Sequence, residues 1–235
     1  MKALRPLLFV LLIFSLATLA CSTFPNFTKA TETTEPSKPS TEVPTEAVTE
    51  KPPKAKILFE DDFSDSGSGW DQWTDDTSTT DYLNGTYQIF VGEANWWNWT
   101  NPYLDFTDVI VEVDVENVAS PIGDAGIICR YQDAENFYFL SITTDGYYGI
   151  SKIKDGEEFQ LTDDYPTTAI INTGKSINHL RAECIGSNLT LFANGTELVS
   201  ISDADFSSGD VGLIGGSYED AGVDLRFDNF VVTKP

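Results

Sequence analysis

Histidine is nearly absent: His179 stands alone in 235 residues. A metal site built from several imidazoles is therefore excluded, and a Ser-His-Asp arrangement has poor support. His179 itself reads as a residue at the start of a strand. Basic residues are also scarce, 14 Lys and Arg against 37 Asp and Glu, for a formal net charge of −23. Residues 56–235 hold eight bases against 32 acids, a net −24 (8 − 32). Such a surface repels phosphate backbones, so no nucleic-acid partner is expected. It suits neutral sugars, cations or basic partners. No stretch of a dozen residues carries a convincing helical period, and no glycine-rich loop precedes a helix to cradle phosphate. An EF-hand is missing as well: "DADFSSGD", 203–210, has its glycine one place late and lacks the closing glutamate.

Long apolar runs are confined to the start, "MKALRPLLFVLLIFSLATLAC". Lys2 and Arg5 precede a short apolar stretch, and small residues lead into Cys21, the pattern of an export signal over residues 1–20. The run is short for a permanent span, which takes roughly 20 apolar residues. Cysteine at the cut resembles the lipobox of bacterial lipoproteins, with Thr18 standing where that motif has an aliphatic residue. The resemblance implies lipidation of Cys21 and anchoring at the outer face of the cell membrane. Ordinary cleavage and an uncleaved anchor are the other readings. Residues 21–55 are rich in Thr, Pro, Glu, Ser and Lys and poor in large apolar residues. Such a segment cannot bury enough surface to offset its ordering entropy and reads as a disordered tether.

From residue 56 the pattern is period-two and apolar, broken by turn signals. "TYQIFV", "DVIVEVDVEN", "AGIICRY", "NFYFLSIT", "YYGISKI", "HLRAECIG", "LTLFANG", "TELVSIS", "VGLIGGS" and "VDLRFDNFVV" each read as a strand. Asn84-Gly85, Asp145-Gly146, Asp155-Gly156 and Asn194-Gly195 mark tight turns. Residues 56–235 are long enough for one core, and the expected fold is an all-β, antiparallel two-sheet jelly-roll sandwich.

Four phrases, "LFEDDFSDSGSGW", "GIICRYQDAENFYFLSI", "LFANGTELVSISDADFSSGDVGL" and "FDNFVV", together resemble the concanavalin A-like, laminin-G-like domains of bacterial surface proteins. That group includes 3-keto-disaccharide hydrolase-type domains and shares its fold with glycoside hydrolase family sixteen. The fold hosts lectins, hydrolases and adhesion modules, so the resemblance speaks for fold more than for activity.

Within "VIVEVDVENV" the valines 109, 111, 113 and 115 share one strand face, and Glu112, Asp114 and Glu116 the other. By resemblance to the family-sixteen strand Glu-x-Asp-x-Glu, Glu112 would be the nucleophile, Glu116 the acid/base, and Asp114 the group that tunes them. A retaining pair needs carboxyls roughly 5–5.5 Å apart; the Cα atoms of residues i and i+4 on a flat strand are about 13 Å apart, so the side chains would have to lean together or the sheet bend sharply. The alternative is a solvated strand face, the default for a half-buried strand.

"ANWWNWTNPY" supplies Trp96, Trp97 and Trp99 among asparagines. Indole faces stack on sugar rings and amides bond hydroxyls. If the segment is extended, Trp97 and Trp99 fall on one side and Trp96 on the other. Arg130 and Tyr138 complete an expected ligand set, Arg130 also being a candidate ion-pair partner for the acids of 109–118. Glu60, Asp62 and Asp228 lie near opposite ends of the domain. If the terminal strands pair, their oxygens could hold a structural calcium. Cys129 and Cys184 sit in strand patterns, and the sequence leaves one disulfide or two free thiols equally open. The sequence thus predicts a tethered surface lipoprotein that binds carbohydrate. A glycoside hydrolase using the paired carboxylates, or an adhesive ectodomain with no small ligand, are the rival readings.

Overall fold

The computed structural model describes residues 55–235. The signal, Cys21 and all but the last residue of the tether lie outside the described residues. Every regular element among the described residues is a strand: β1 (Ile57–Asp61), β2 (Trp73–Thr74), β3 (Ser78–Leu83), β4 (Thr86–Val91) and β5 (Trp97–Thr100). These are followed by β6 (Val109–Asn117), β7 (Gly123–Asp133), β8 (Asn136–Thr143), β9 (Tyr148–Lys154) and β10 (Glu157–Gln160). The last are β11 (Ile177–Ile185), β12 (Asn188–Ala193), β13 (Thr196–Ser202), β14 (Asp210–Ser217) and β15 (Val223–Thr233).

They form two antiparallel sheets. A nine-stranded sheet runs β13-β12-β11-β6-β15-β4-β3-β2, with β1 added on β15; a six-stranded sheet runs β10-β9-β8-β7-β14-β5. The expected jelly-roll sandwich is what forms. Three hairpins turn at Asn84-Gly85, Asp155-Gly156 and Asn194-Gly195, with positive φ at both turn residues. That is the backbone a two-residue turn between right-twisted strands requires. The terminal strands do pair, Glu60 opposite Val231 and Asp61 opposite Phe230. Four strands lack a clean sequence signal: β1, β2 and β3, where Asp, Ser and Thr interrupt the apolar pattern, and β10, whose four residues are all exposed.

The main core is the face shared by the sheets. Val109, Val111, Val113 and Val115 are buried there with Leu180, Leu191, Leu225 and Phe227 from the same sheet. Ile127, Leu140, Ile150 and Leu213 come from the other. At one end Trp70 lies edge-on to Phe230, with ring centres 4.9 Å apart, and Phe63 and Tyr87 pack around it. Asp61 anchors this corner. Buried, it accepts bonds from Trp70 Nε1 at 2.9 Å and Phe63 N at 2.8 Å.

Cys129 on β7 and Cys184 on β11 are bonded, with Cα atoms 6.8 Å apart, which resolves what the sequence left open. The bond joins one sheet to the other across the core. It closes a 55-residue separation, for which loop entropy assigns roughly 4 kcal/mol. Reduction, or the double change Cys129→Ala/Cys184→Ala, should lower the melting midpoint by on the order of 10 °C. Thermal melts with and without reductant check this, and coincident midpoints would refute it.

Candidate functional site

Alternation gives the six-stranded sheet two faces. Ile127, Cys129, Leu140 and Leu213 point into the main core. Ile128, Phe137, Phe139, Ile153 and Ile214 point the other way and form a second apolar cluster on the outer face. Trp97 and Trp99, on the edge strand β5, lean over that cluster: Trp97 lies 5.7 Å from Phe139, Trp99 5.7 Å from Phe137, and Tyr131 5.5 Å from Phe137. Between them Asn98 turns inward and donates to the Phe90 carbonyl at 2.8 Å. Trp96 precedes the strand and is 54% exposed. Trp97 and Trp99 share one side of the strand, as expected, whereas Trp96 stands outside the strand and lines the same cleft as they do instead of the opposite side.

Trp97 owes its pose to glycine. It pairs with Gly216 on β14, where an added Cβ would fall 1.9 Å from Trp97 Cδ1. With no side chain there, the indole lies across the strand and reaches Asp124, which pairs with the same glycine from the other side.

A cleft of about 620 Å³ opens beside β5. Four of the protein's five tryptophans line it: Trp73, Trp96, Trp97 and Trp99. Asp71, Gln72, Asp75, Glu93 and Asn98 supply polar groups. Trp73 is 61% exposed and arrives from β2, the two-residue edge of the other sheet. No sequence pattern pointed to it, because its two-residue strand lies in an Asp-rich stretch with no alternation. Its only signal is an aromatic in a stretch too polar to bury it.

Asp124 is the most unusual acid here. It stands at the inner end of β7, opposite Thr143 on β8, between Trp97 and the Tyr218 hydroxyl. Burial pushes its carboxyl up to about 6, hydrogen bonds from Tyr218 and Trp97 acting in the opposite direction. Asp210, at the far end of the same face, is also raised to about 6 by burial, against backbone hydrogen bonds including that of Val211. A buried carboxyl in a cleft without a cationic partner is a feature of sites rather than of cores.

Several expected site residues lie elsewhere. Arg130 and Tyr138 are buried at 2% and 0% exposure and are not available to a ligand. Arg130 adopts a positive φ of 55° where the β7 register shifts. That bulge turns its guanidinium to the carbonyls of Phe206 at 2.8 Å and Gly186 at 2.6 Å, with Asp108 at 3.7 Å. Tyr138 has the parity of Leu140 and faces inward, donating to Asp203 at 2.5 Å. Asp203 in turn pairs with Lys152 at 2.6 Å.

Glu112, Asp114 and Glu116 lie on the outer face of the nine-stranded sheet, since the valines between them fill the core. They and the tryptophans therefore occupy opposite outer faces of the sandwich and cannot serve one cleft. Pairing with β11 is regular from Glu112 to Glu116, so their Cα atoms keep the flat-strand spacing of about 13 Å. His179 Nδ1 lies 2.7 Å from Asp114 and Nε2 3.6 Å from Glu112, and Asn229 donates to Asp114 at 3.0 Å. The solvated-face reading fits these positions.

The calcium set is not assembled either. Among the described residues no group of three His, Cys, Asp or Glu is placed to hold a metal ion. Alternation leaves Glu60 and Asp62 exposed while Asp61 turns inward, and Asp228 faces Asp114 on β6, the opposite edge of β15 from β1.

No protein-family model and no curated protein matches the sequence. Solved structures do. The protein is similar to the carbohydrate-binding module CBM66 from Bacillus subtilis, at TM-score 0.57 and 17% identity over 71% of this chain and 96% of that one. It is similar to a Bacillus subtilis protein of unknown function with a galectin-like fold, at 0.57 and 11% over 77% and 97%. It is also similar to a Bacillus licheniformis beta-glucanase, at 0.55 and 11% over 75% and 97%. At these identities the likeness establishes the fold: a concanavalin A-like jelly-roll sandwich.

The raised carboxyl of Asp124 makes a stability prediction. The native state holds this proton more tightly than the unfolded chain, whose value is 3.8. The stability it contributes is present at low pH and is lost as pH rises from about 4 through about 6. Asp124→Asn should therefore stabilise the protein at neutral pH by up to roughly 3 kcal/mol, the gain fading as pH falls through that window. Thermal melts of both proteins across pH measure it. No gain at neutral pH would show that the ionised carboxylate is already compensated.

Proposed function

We propose that the protein is a carbohydrate-binding module whose ligand lies in the tryptophan cleft beside β5. The observation that carries this reading is the convergence of Trp73, Trp96, Trp97 and Trp99 from two sheets on one open cleft with carboxylate and amide groups among them. Indole rings offer flat apolar surface to the C–H faces of a pyranose, and Asp, Gln and Asn groups exchange hydrogen bonds with its hydroxyls. Trp97 and Trp99 are braced by Phe139 and Phe137, so little ordering entropy is lost when a ring docks. The same fold in a carbohydrate-binding module and a beta-glucanase supports the reading. The sequence supports export and attachment through a lipidated Cys21, with residues 21–55 as the spacer that holds the module away from the membrane. Glu112 and Glu116 lie on the outer face of the nine-stranded sheet and do not line this cleft, which favours binding over hydrolysis there.

A glycan array probed with the wild type, Trp96→Ala and Trp73→Ala tests this. Both residues are more than half exposed, so truncation leaves the core intact. Binding of a defined set of glycans should weaken by about tenfold for each, on the order of 1.4 kcal/mol. An array on which the wild type binds nothing, or on which both variants match it, would overturn the proposal.

A further inference from the structure

A second cleft lies on the other side of Asp124 from the tryptophans. It measures about 460 Å³ and is lined by Tyr147, Tyr165 and Tyr218, with Ile122 and Thr143. Asp145, Glu219 and Asp220 complete it. Three different connections deliver the rings: Tyr147 from the β8–β9 turn, Tyr165 from the loop after β10, and Tyr218 from the end of β14. All three are partly exposed, at 40%, 52% and 38%, although a tyrosine with no ligand gains by packing its ring away. Tyr165 lies across β9 at Gly149, where a Cβ would come 3.7 Å from its Cε1. The acids come from every side: Asp145 from the turn, Glu219 and Asp220 from the β14–β15 loop, Asp124 from β7 beneath, and Glu158 from β10, close enough to act on both Asp124 and Tyr165. None of the residues lining the cleft is Lys, Arg or His.

We propose that this cleft binds an organic ammonium group, either a primary amine carried by a sugar or a quaternary ammonium. The electron-rich faces of Tyr147, Tyr165 and Tyr218 would surround the cation, and Asp124, Asp145, Glu219 and Asp220 would balance its charge. Tyrosine rings attract a cation through their quadrupole, and a partly desolvated cleft strengthens that attraction. A neutral sugar could hydrogen-bond the carboxylates but would leave their charge unbalanced, and an anion would be repelled by it. A compact inorganic cation would find the apolar ring faces a poor exchange for its water. A bound ammonium would also offset the burial that pushes the Asp124 carboxyl up to about 6. The proposal does not depend on carbohydrate binding in the tryptophan cleft, because its primary probe carries no sugar.

The test is calorimetric or NMR titration of the full chain with tetramethylammonium at neutral pH, alongside the uncharged, similarly shaped tert-butanol. Tetramethylammonium should saturate a single site and tert-butanol should not. Tyr165→Leu should weaken binding about tenfold, while Tyr165→Phe, which keeps the ring face, should remain within about threefold. Glu219→Gln/Asp220→Asn should weaken it further at low salt than at high salt. Competition by glucosamine but not N-acetylglucosamine would assign the amine to a sugar. Competition by choline alone would assign it to a quaternary group. No saturation by tetramethylammonium, an equal response to tert-butanol, or unchanged affinity in Tyr165→Leu would each overturn the proposal.

Discussion

Both faces of the six-stranded sheet are apolar, and the rest of the structure follows from that. A sheet at the surface of a sandwich normally buries one face and wets the other. Here β7, β8 and β14 place apolar or glycine residues on both sides, so Ile128, Phe137, Phe139 and Ile214 need cover. The edge strand β5 provides it with Trp97 and Trp99. Large rings cover more area than the strand beneath them and overhang its edge. The surface they leave is the wall of a cleft, built from side chains already fixed by packing.

Glycine decides where Trp97 can lie: Gly216 lets the indole cross β14, where a Cβ would collide with it, while Tyr165 rests over Gly149 at ordinary contact distance. Both glycines sit on the outer face, with the two strands β8 and β7 between them, on either side of the Asp124–Thr143 pair. The buried carboxyl thus lies under a seam where the tryptophan and tyrosine clefts meet. Its burial costs stability, and that cost is tolerable because the disulfide and the main core hold the two sheets together independently of this face.

The acid surplus is distributed unevenly. Five of the domain's eight Lys and Arg are spent on local pairs: Arg130 with Asp108, Lys152 and Lys154 with Asp203 and Asp205, Arg181 with Glu183, and Arg226 with Asp224. The carboxylates around the two clefts are left without such partners among their lining residues. A negative potential concentrated over aromatic walls is the electrostatic counterpart of a polar or cationic guest.

The sequence by itself determined the strands, because alternation is local. The ten marked phrases fall on strands, and the valines of 109–115 are core as their spacing required. It also determined the shared parity of Trp97 and Trp99, though not that their side is the outer one, and the tight Asn-Gly and Asp-Gly turns. It could not determine which outer face belonged to which sheet. Glu112 and Trp97 look equally outward along their own strands, and only the pairing of β6 with β11 and of β5 with β14 puts them on opposite sides. Nor could it show that a bulge would turn Arg130 inward, that Cys129 and Cys184 would meet across the core, or that Trp73, Tyr147, Tyr165 and Tyr218 would converge from separate loops. Those are long-range contacts, set by strand order and loop path, and a period of two carries no information about either.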